Sequence, residues 1–225
     1  KKMKCGGRTI SEYDEDLPND LSVEDILTYS SNIGSVKIGE IIGKEKMAEF
    51  LGNIGILSKM KFDIEEVGKP IPFKWRDCKL KTVSYGHGIT TTPIQLAKAY
   101  AILTNGGYSV DPTLIKKEFY NSRKKRVLND NVSRQLNPML RKVVTKGTAS
   151  LSDVQGYEIG GKTGTAQIVE NGSYTKKKIN TFASVFPISD PKYVLVVLLE
   201  DTKLSKDYVY KYRNKPGSFK GTPFN

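Results

Sequence analysis

The hydrophobic period of this chain changes once, near Tyr157, and that change limits the folds open to it. Before it, apolar residues recur at helical spacing; after it, they recur in short runs bounded by Gly, Asn and Pro. Helices first and strands afterwards give an α+β domain, and the short links between strands imply an antiparallel meander. With 225 residues, 38% of them hydrophobic, the chain can bury one sizeable core and does not read as disordered.

Local signals place the elements. Ser22 and Asp25 form a capping box for a helix carrying Val23, Ile26 and Leu27, which ends near Tyr29 and delivers Ser30-Ser31-Asn32 to a helix–helix junction. A second helical pattern runs through Ile33, Val36, Ile38, Ile41 and Ile42, and a third spans Met47 to Leu51. Thr92, Pro93 and Gln95 open another helix, with Ile94, Leu96, Ala97, Tyr100, Ala101 and Leu103 as its apolar residues and Gly106-Gly107 as its stop. Asn131 to Thr145 is amphipathic through Val132, Leu136, Leu140 and Val143, and Pro138 is expected to kink or restart it. Strands are expected at Tyr157–Ile159, Thr165–Val169, Thr181–Phe186 and Tyr193–Leu199. Lys1–Asp20, with acids crowding Glu12 to Asp16, reads as a surface loop, and Lys59–Lys81 as a connecting loop. The organisation is thus one domain: a mostly helical part over 1–156, strands over 157–202, and a basic tail over 203–225.

Charge and cysteine usage exclude some function classes. The net charge of +12 is concentrated between Lys116 and Lys146, where ten Lys or Arg face two acids, and in Lys176-Lys177-Lys178. These residues are not interleaved with aromatics, and no helix-turn-helix or zinc-finger spacing accompanies them. They read as a solvated basic face suited to anionic lipid or cell-wall polymer rather than as a nucleic-acid site. Cys5 and Cys78 lack metal-ligand spacing, and the single His87 cannot complete a zinc site with them. They are read as unpaired structural cysteines, with a disulfide open only in an oxidising compartment. His87, flanked by Gly86 and Gly88, reads as a turn residue with no catalytic part. No metal or cofactor is expected. No apolar run approaches the roughly 20 residues of a membrane span. The chain opens on Lys1 rather than Met, so a missing anchor says little about the parent protein.

Chemistry enters with Gly160-Gly161-Lys162-Thr163-Gly164-Thr165-Ala166-Gln167, read as lying between two short strands. Ser30-Ser31-Asn32 supplies a Ser-x-Asn upstream, and between them lies Ser84-Tyr85-Gly86-His87-Gly88-Ile89-Thr90-Thr91-Thr92-Pro93-Ile94-Gln95-Leu96-Ala97. In this order, from about Leu21 to Asp201, these segments resemble the transpeptidase domain of class B penicillin-binding proteins. The resemblance implies a penicillin-binding or serine β-lactamase-like transpeptidase fold and a peptidoglycan D,D-transpeptidase acting through a serine acyl-enzyme. Asn at position 32, together with the Gly86–Leu96 run, is more similar to the division-specific enzymes than to those of elongation. The implied partners are peptidoglycan stem peptides, β-lactams and membrane proteins of the division complex. The implied location is the periplasmic face of the bacterial inner membrane, with the parent protein anchored there.

The same resemblance implies residue roles. Ser30 would relay a proton to the leaving amine, and Asn32 would hold the substrate backbone. Lys162 would raise the local positive potential beside Ser30. Thr163 and Thr165 would hydrogen-bond the substrate carboxylate, Gly164 would leave room for strand-like pairing, and the Thr165 N–H would be one oxyanion donor. The family nucleophile is the serine of a Ser-x-x-Lys that precedes Ser-x-Asn. The matches here, at Ser58, Ser122, Ser173 and Ser189, all follow Ser30, so none is a credible nucleophile. The chain is expected to be incomplete at both ends, with no helix after Leu199 to cover the sheet, and to be poorly stable and unreactive towards penicillin alone. Alternatives that stay open are a serine β-lactamase or D,D-carboxypeptidase relative, and a non-catalytic penicillin-binding scaffold.

Overall fold

The computed structural model describes residues 2–65, 67–116, 125–170, 173–202, 211–212 and 215–216. It opens on a hairpin, not a loop: β1 (Lys2–Cys5) pairs antiparallel with β2 (Arg8–Ser11) across a turn in which Gly6 takes φ +60°. Only alternate residues of it are inward and apolar. Cys5 and Ile10 are buried against Val36, while Lys2, Lys4, Arg8 and Thr9 stay exposed, so the strands lack an obvious apolar run.

Four helices follow. They are α1 (Val23–Thr28), α2 (Asn32–Ile42), α3 (Lys44–Asn53) and α4 (Asp77–Ser84). The Ser22 cap is present, its Oγ accepting from the Asp25 N–H at 3.1 Å. Helix α4 begins inside Lys59–Lys81, the segment expected to be a loop, and runs three residues past it; it carries no side-chain N-cap and is held from outside, by packing on α2 and the hairpin. Gly39 of α2 permits that packing, because a Cβ there would meet Ser84 Cβ at 2.8 Å. Cys78 of α4 forms a disulfide with Cys5, with Cα atoms 5.2 Å apart, so the expectation of unpaired cysteines was wrong. The hairpin brings together two positions separated by 73 residues, which spacing alone cannot reveal.

Helices α5 (Pro93–Thr104) and α6 (Asp130–Thr145) pack on the sheet. The Thr92–Gln95 capping box forms as expected, but the most buried stripe of α5 is Gln95, Ala99 and Ile102 rather than the residues named from the pattern. Gln95 is fully buried because its Nε2 donates to Ser58 O at 2.7 Å and Gly55 O at 3.3 Å. Helix α6 runs through Pro138 without a break. A short 3₁₀ turn (Ser150–Ser152) leads to the meander β3 (Gly160–Glu170), β4 (Ser173–Phe186) and β5 (Tyr193–Glu200), in the order β3-β4-β5. No strand forms at 157–159, and the strand expected at 165–169 begins earlier, at Gly160, so Lys162-Thr163-Gly164 lies inside it.

Leu140, Val185 and Ile188, flanked by Tyr100 and Val194, form the core between helices and sheet, and Val143, Val144, Ala149 and Phe182 extend it towards α1. Along β5, Tyr193, Leu195 and Val197 alternate and are exposed, so apolar surface stands on one face of the sheet. In the tail, β6 (Lys211–Tyr212) pairs with β7 (Lys215–Pro216), and the rest of that stretch lies outside the described residues. Ser122 and most of the Lys116–Arg126 basic run do also. Among the described residues no helix is long and apolar enough to cross a membrane.

Candidate active site

Three residues, Tyr29, Ser30 and Ser31, join α1 to α2. Ser31 N–H donates to Ile26 O at 3.0 Å and Ser30 N–H to Leu27 O at 3.4 Å, the two bonds of a Schellman stop for α1. That motif needs a left-handed residue at its penultimate position, usually glycine, and here Ser30 takes it with φ +58°. A serine in that conformation costs about 1–2 kcal/mol. Ser31 then caps α2, its Oγ accepting from Gly34 N–H at 2.9 Å.

Ser30 is aimed at β3. Lys162 Nζ donates to Ser30 Oγ at 2.8 Å and to Thr163 O at 3.0 Å. Among the described residues no carboxylate pairs with this ammonium. Burial without a counter-ion pushes it down to about 8 from an ordinary 10.5. The result is a desolvated positive centre beside a hydroxyl.

Glycines let β3 reach this place. A Cβ at Gly160 would strike Ile188, and one at Gly161 would come within 2.6 Å of Ala183 O on β4 and 2.9 Å of the Phe182 ring. These two glycines permit close strand packing. Arg141 of α6 steadies the lead-in, donating to Ile159 O at 2.8 Å and pairing with Asp153 at 2.8 Å. A Cβ at Gly164 meets nothing within 4 Å, so the strand is open there.

The other expected residues are placed differently. Thr163 Oγ1 lies 2.8 Å from Thr148 Oγ1, and Thr165 Oγ1 donates to Asn180 Oδ1 at 3.1 Å. Asn32 Nδ2 donates to Ser11 O at 2.9 Å, tying the Ser-x-Asn segment to the end of the hairpin. Thr148 escaped the sequence reading; it follows Gly147, whose missing Cβ lets the α6 exit approach Thr28 O. His87 is a turn residue, but Tyr174 Oη lies 3.0 Å from its Nε2, joining it to the β3–β4 hairpin. Burial, with Arg8 and Lys79 nearby, lowers its pKa. The described Ser-x-x-Lys serines lie on a loop (Ser58), at the start of β4 (Ser173) and in a bend (Ser189), none at a helix start.

A buried lysine facing a strained serine across a glycine-rich strand is the arrangement that the motifs implied. The sequence matches the family model of the penicillin binding protein transpeptidase domain over residues 1–217. The chain belongs to the penicillin-binding protein transpeptidase family. The match extends beyond the Leu21–Asp201 span of the motifs and takes in the hairpin. Stage V sporulation protein D of Bacillus subtilis is 32% identical over 220 residues, covering 90% of this chain and 32% of that protein. The Caulobacter vibrioides protein named "Probable peptidoglycan D,D-transpeptidase FtsI" is 30% identical over 213 residues, covering 89% of this chain and 36% of its own length.

Among solved structures, the transpeptidase domain of Burkholderia pseudomallei penicillin-binding protein 3 superposes with a TM-score of 0.80 at 28% identity, over 89% of this chain and 62% of that one. Mycobacterium tuberculosis penicillin binding protein 3 in complex with aztreonam gives 0.81 at 24% identity, over 89% and 50%, a likeness of fold. The penicillin-binding transpeptidase fold is therefore the fold of this chain. The chain spans about a third of the length of the curated relatives it matches.

Proposed function

We propose that this chain forms the Ser-x-Asn and Lys-Thr-Gly walls of a serine-type peptidoglycan D,D-transpeptidase of cell division. The carrying observation is the 2.8 Å contact between Lys162 Nζ and Ser30 Oγ, with burial lowering the lysine. In this reading the attacking serine comes from the remainder of the protein. Its oxygen bonds to the penultimate D-alanine carbonyl carbon as its hydroxyl gives up its proton, the amide C–N bond breaks, and Ser30 relays a proton to the departing amine under the field of Lys162, so that D-alanine leaves as the amine. An acceptor amine then displaces the serine and completes the cross-link.

The unpaired ammonium suits the substrate's terminal carboxylate or the carboxylate of a β-lactam. Thr163 and Thr165 contribute hydroxyls, the latter by turning from Asn180, and the Thr165 N–H contributes one oxyanion donor. Asn32, anchored through Nδ2, offers Oδ1 to a substrate N–H. The Cys5–Cys78 disulfide supports an oxidising compartment, in keeping with the periplasmic face of a bacterial inner membrane and a membrane-anchored parent. Membrane proteins of the division complex are its proposed partners.

The test is labelling of the full-length protein by a fluorescent penicillin, followed by mass-spectrometric location of the acylated serine. A stoichiometric ester on a serine outside residues 1–225 is expected. An ester on Ser58, Ser122, Ser173 or Ser189, or no ester at all, would contradict the reading.

A further inference from the structure

The acidic run from Glu12 to Asp16 holds one member unlike a surface acid. Glu12 is 8% exposed, and its carboxylate is turned onto the first turn of α2. Oε1 accepts from Ser31 Oγ at 2.6 Å and from Ile33 N–H at 3.3 Å, and Oε2 accepts from Asn32 N–H at 2.8 Å. With Ser31 Oγ taking the Gly34 N–H, the N–H groups of Asn32, Ile33 and Gly34 that open α2 are each satisfied by one of two side chains. The preceding residue contributes as well, because Ser11 O takes the Asn32 amide at 2.9 Å.

Resting on the reading above, we propose that Glu12 is a positioning residue for the Ser-x-Asn wall. It does not touch the reacting atoms. Its oxygens hold Ser31 and Asn32 where α2 begins, and so fix the chain that immediately follows the strained Ser30, whose hydroxyl lies on Lys162. An ordinary N-cap satisfies an amide or two from its own helix. This carboxylate stands on the residue that follows β2, and the hairpin is itself tied to α4 by Cys5–Cys78, so the wall is referenced to a body outside α1 and α2. Glutamine keeps the shape but has a single acceptor oxygen, and its NH2 would face donors.

The experiment uses the full-length protein and the acylation kinetics of a chromogenic penicillin, resolved into the dissociation constant of the initial complex and the first-order acylation rate. Circular dichroism identifies a temperature at which each variant is folded. Glu12→Gln is expected to lower the acylation rate about 10- to 100-fold while the dissociation constant stays within about twofold. Glu12→Asp, whose oxygens are retracted by one methylene, is expected to fall between it and the wild type. A folded Glu12→Gln protein that acylates at the wild-type rate would overturn the proposal. If that variant does not fold, Glu12→Asp decides: a slower acylation step at unchanged dissociation constant supports the role, and a wild-type rate overturns it. A wild-type protein that no penicillin acylates would overturn the functional reading, and this inference with it.

Discussion

Lys162 Nζ reaches Ser30 Oγ at 2.8 Å across a separation of 132 residues, and among the described residues no carboxylate pairs with the ammonium. The pair is poor for stability on both sides. The serine takes a backbone conformation suited to glycine, and the lysine is desolvated without a counter-ion. Such costs mark a place kept for chemistry rather than for folding.

Replacing the lysine separates the two roles. Lys162→Met is expected to stabilise the protein by about 1–3 kcal/mol, by removing a buried charge, and to slow acylation by penicillin about 100- to 1,000-fold, leaving a measurable rate. Denaturant unfolding and penicillin labelling of the same samples check it. The pH dependence carries a sign. The folded pKa of about 8 lies below the ordinary 10.5, so the unfolded chain holds a proton that the folded one has lost between these values. Stability should therefore rise with pH across that window, be lost as pH falls through about 8, and show no such rise from this site in Lys162→Met.

Ser30→Gly should relieve the left-handed strain. It is expected to be about 1 kcal/mol more stable than Ser30→Ala, which keeps the conformation and lacks the hydroxyl as well. Both should acylate slowly. Equal stabilities in urea unfolding would mean that the backbone at position 30 is not strained.

The disulfide closes a long loop and ties the hairpin to α4. Reduction, or the paired change Cys5→Ser with Cys78→Ser, is expected to lower stability by about 2–4 kcal/mol. Unfolding with and without reductant measures it, with the double variant insensitive to reductant.

What could be read in advance follows from how local each signal is. The caps at Ser22 and Thr92 rest on side chains three residues from the amides they bind, so they were legible. The Lys162–Ser30 meeting was foreseeable only through the family's paired motifs. The hairpin was hidden because its inward residues, Cys5 and Ile10, alternate with charged and polar ones in a short segment. Helix α4 was hidden because its support comes from α2 and the hairpin rather than from its own caps. Glycines concealed β3, since Gly160 and Gly161 look like turn residues until Ile188, Ala183 and Phe182 are seen against them. Glu12 lay unnoticed among Asp14, Glu15 and Asp16, where nothing in the sequence separates a buried acid from solvated ones.

In the proposed function Ser30 and Lys162 act as one unit on the acylated centre. The most direct measurement is a double-mutant cycle on the acylation rate of the full-length protein, using Ser30→Ala, Lys162→Met and the double variant. Because groups that act together are non-additive, the double variant is expected to lose little more than the worse single variant, with a coupling of at least about 1 kcal/mol. Effects that simply add would contradict the account, since each residue would then work without the other.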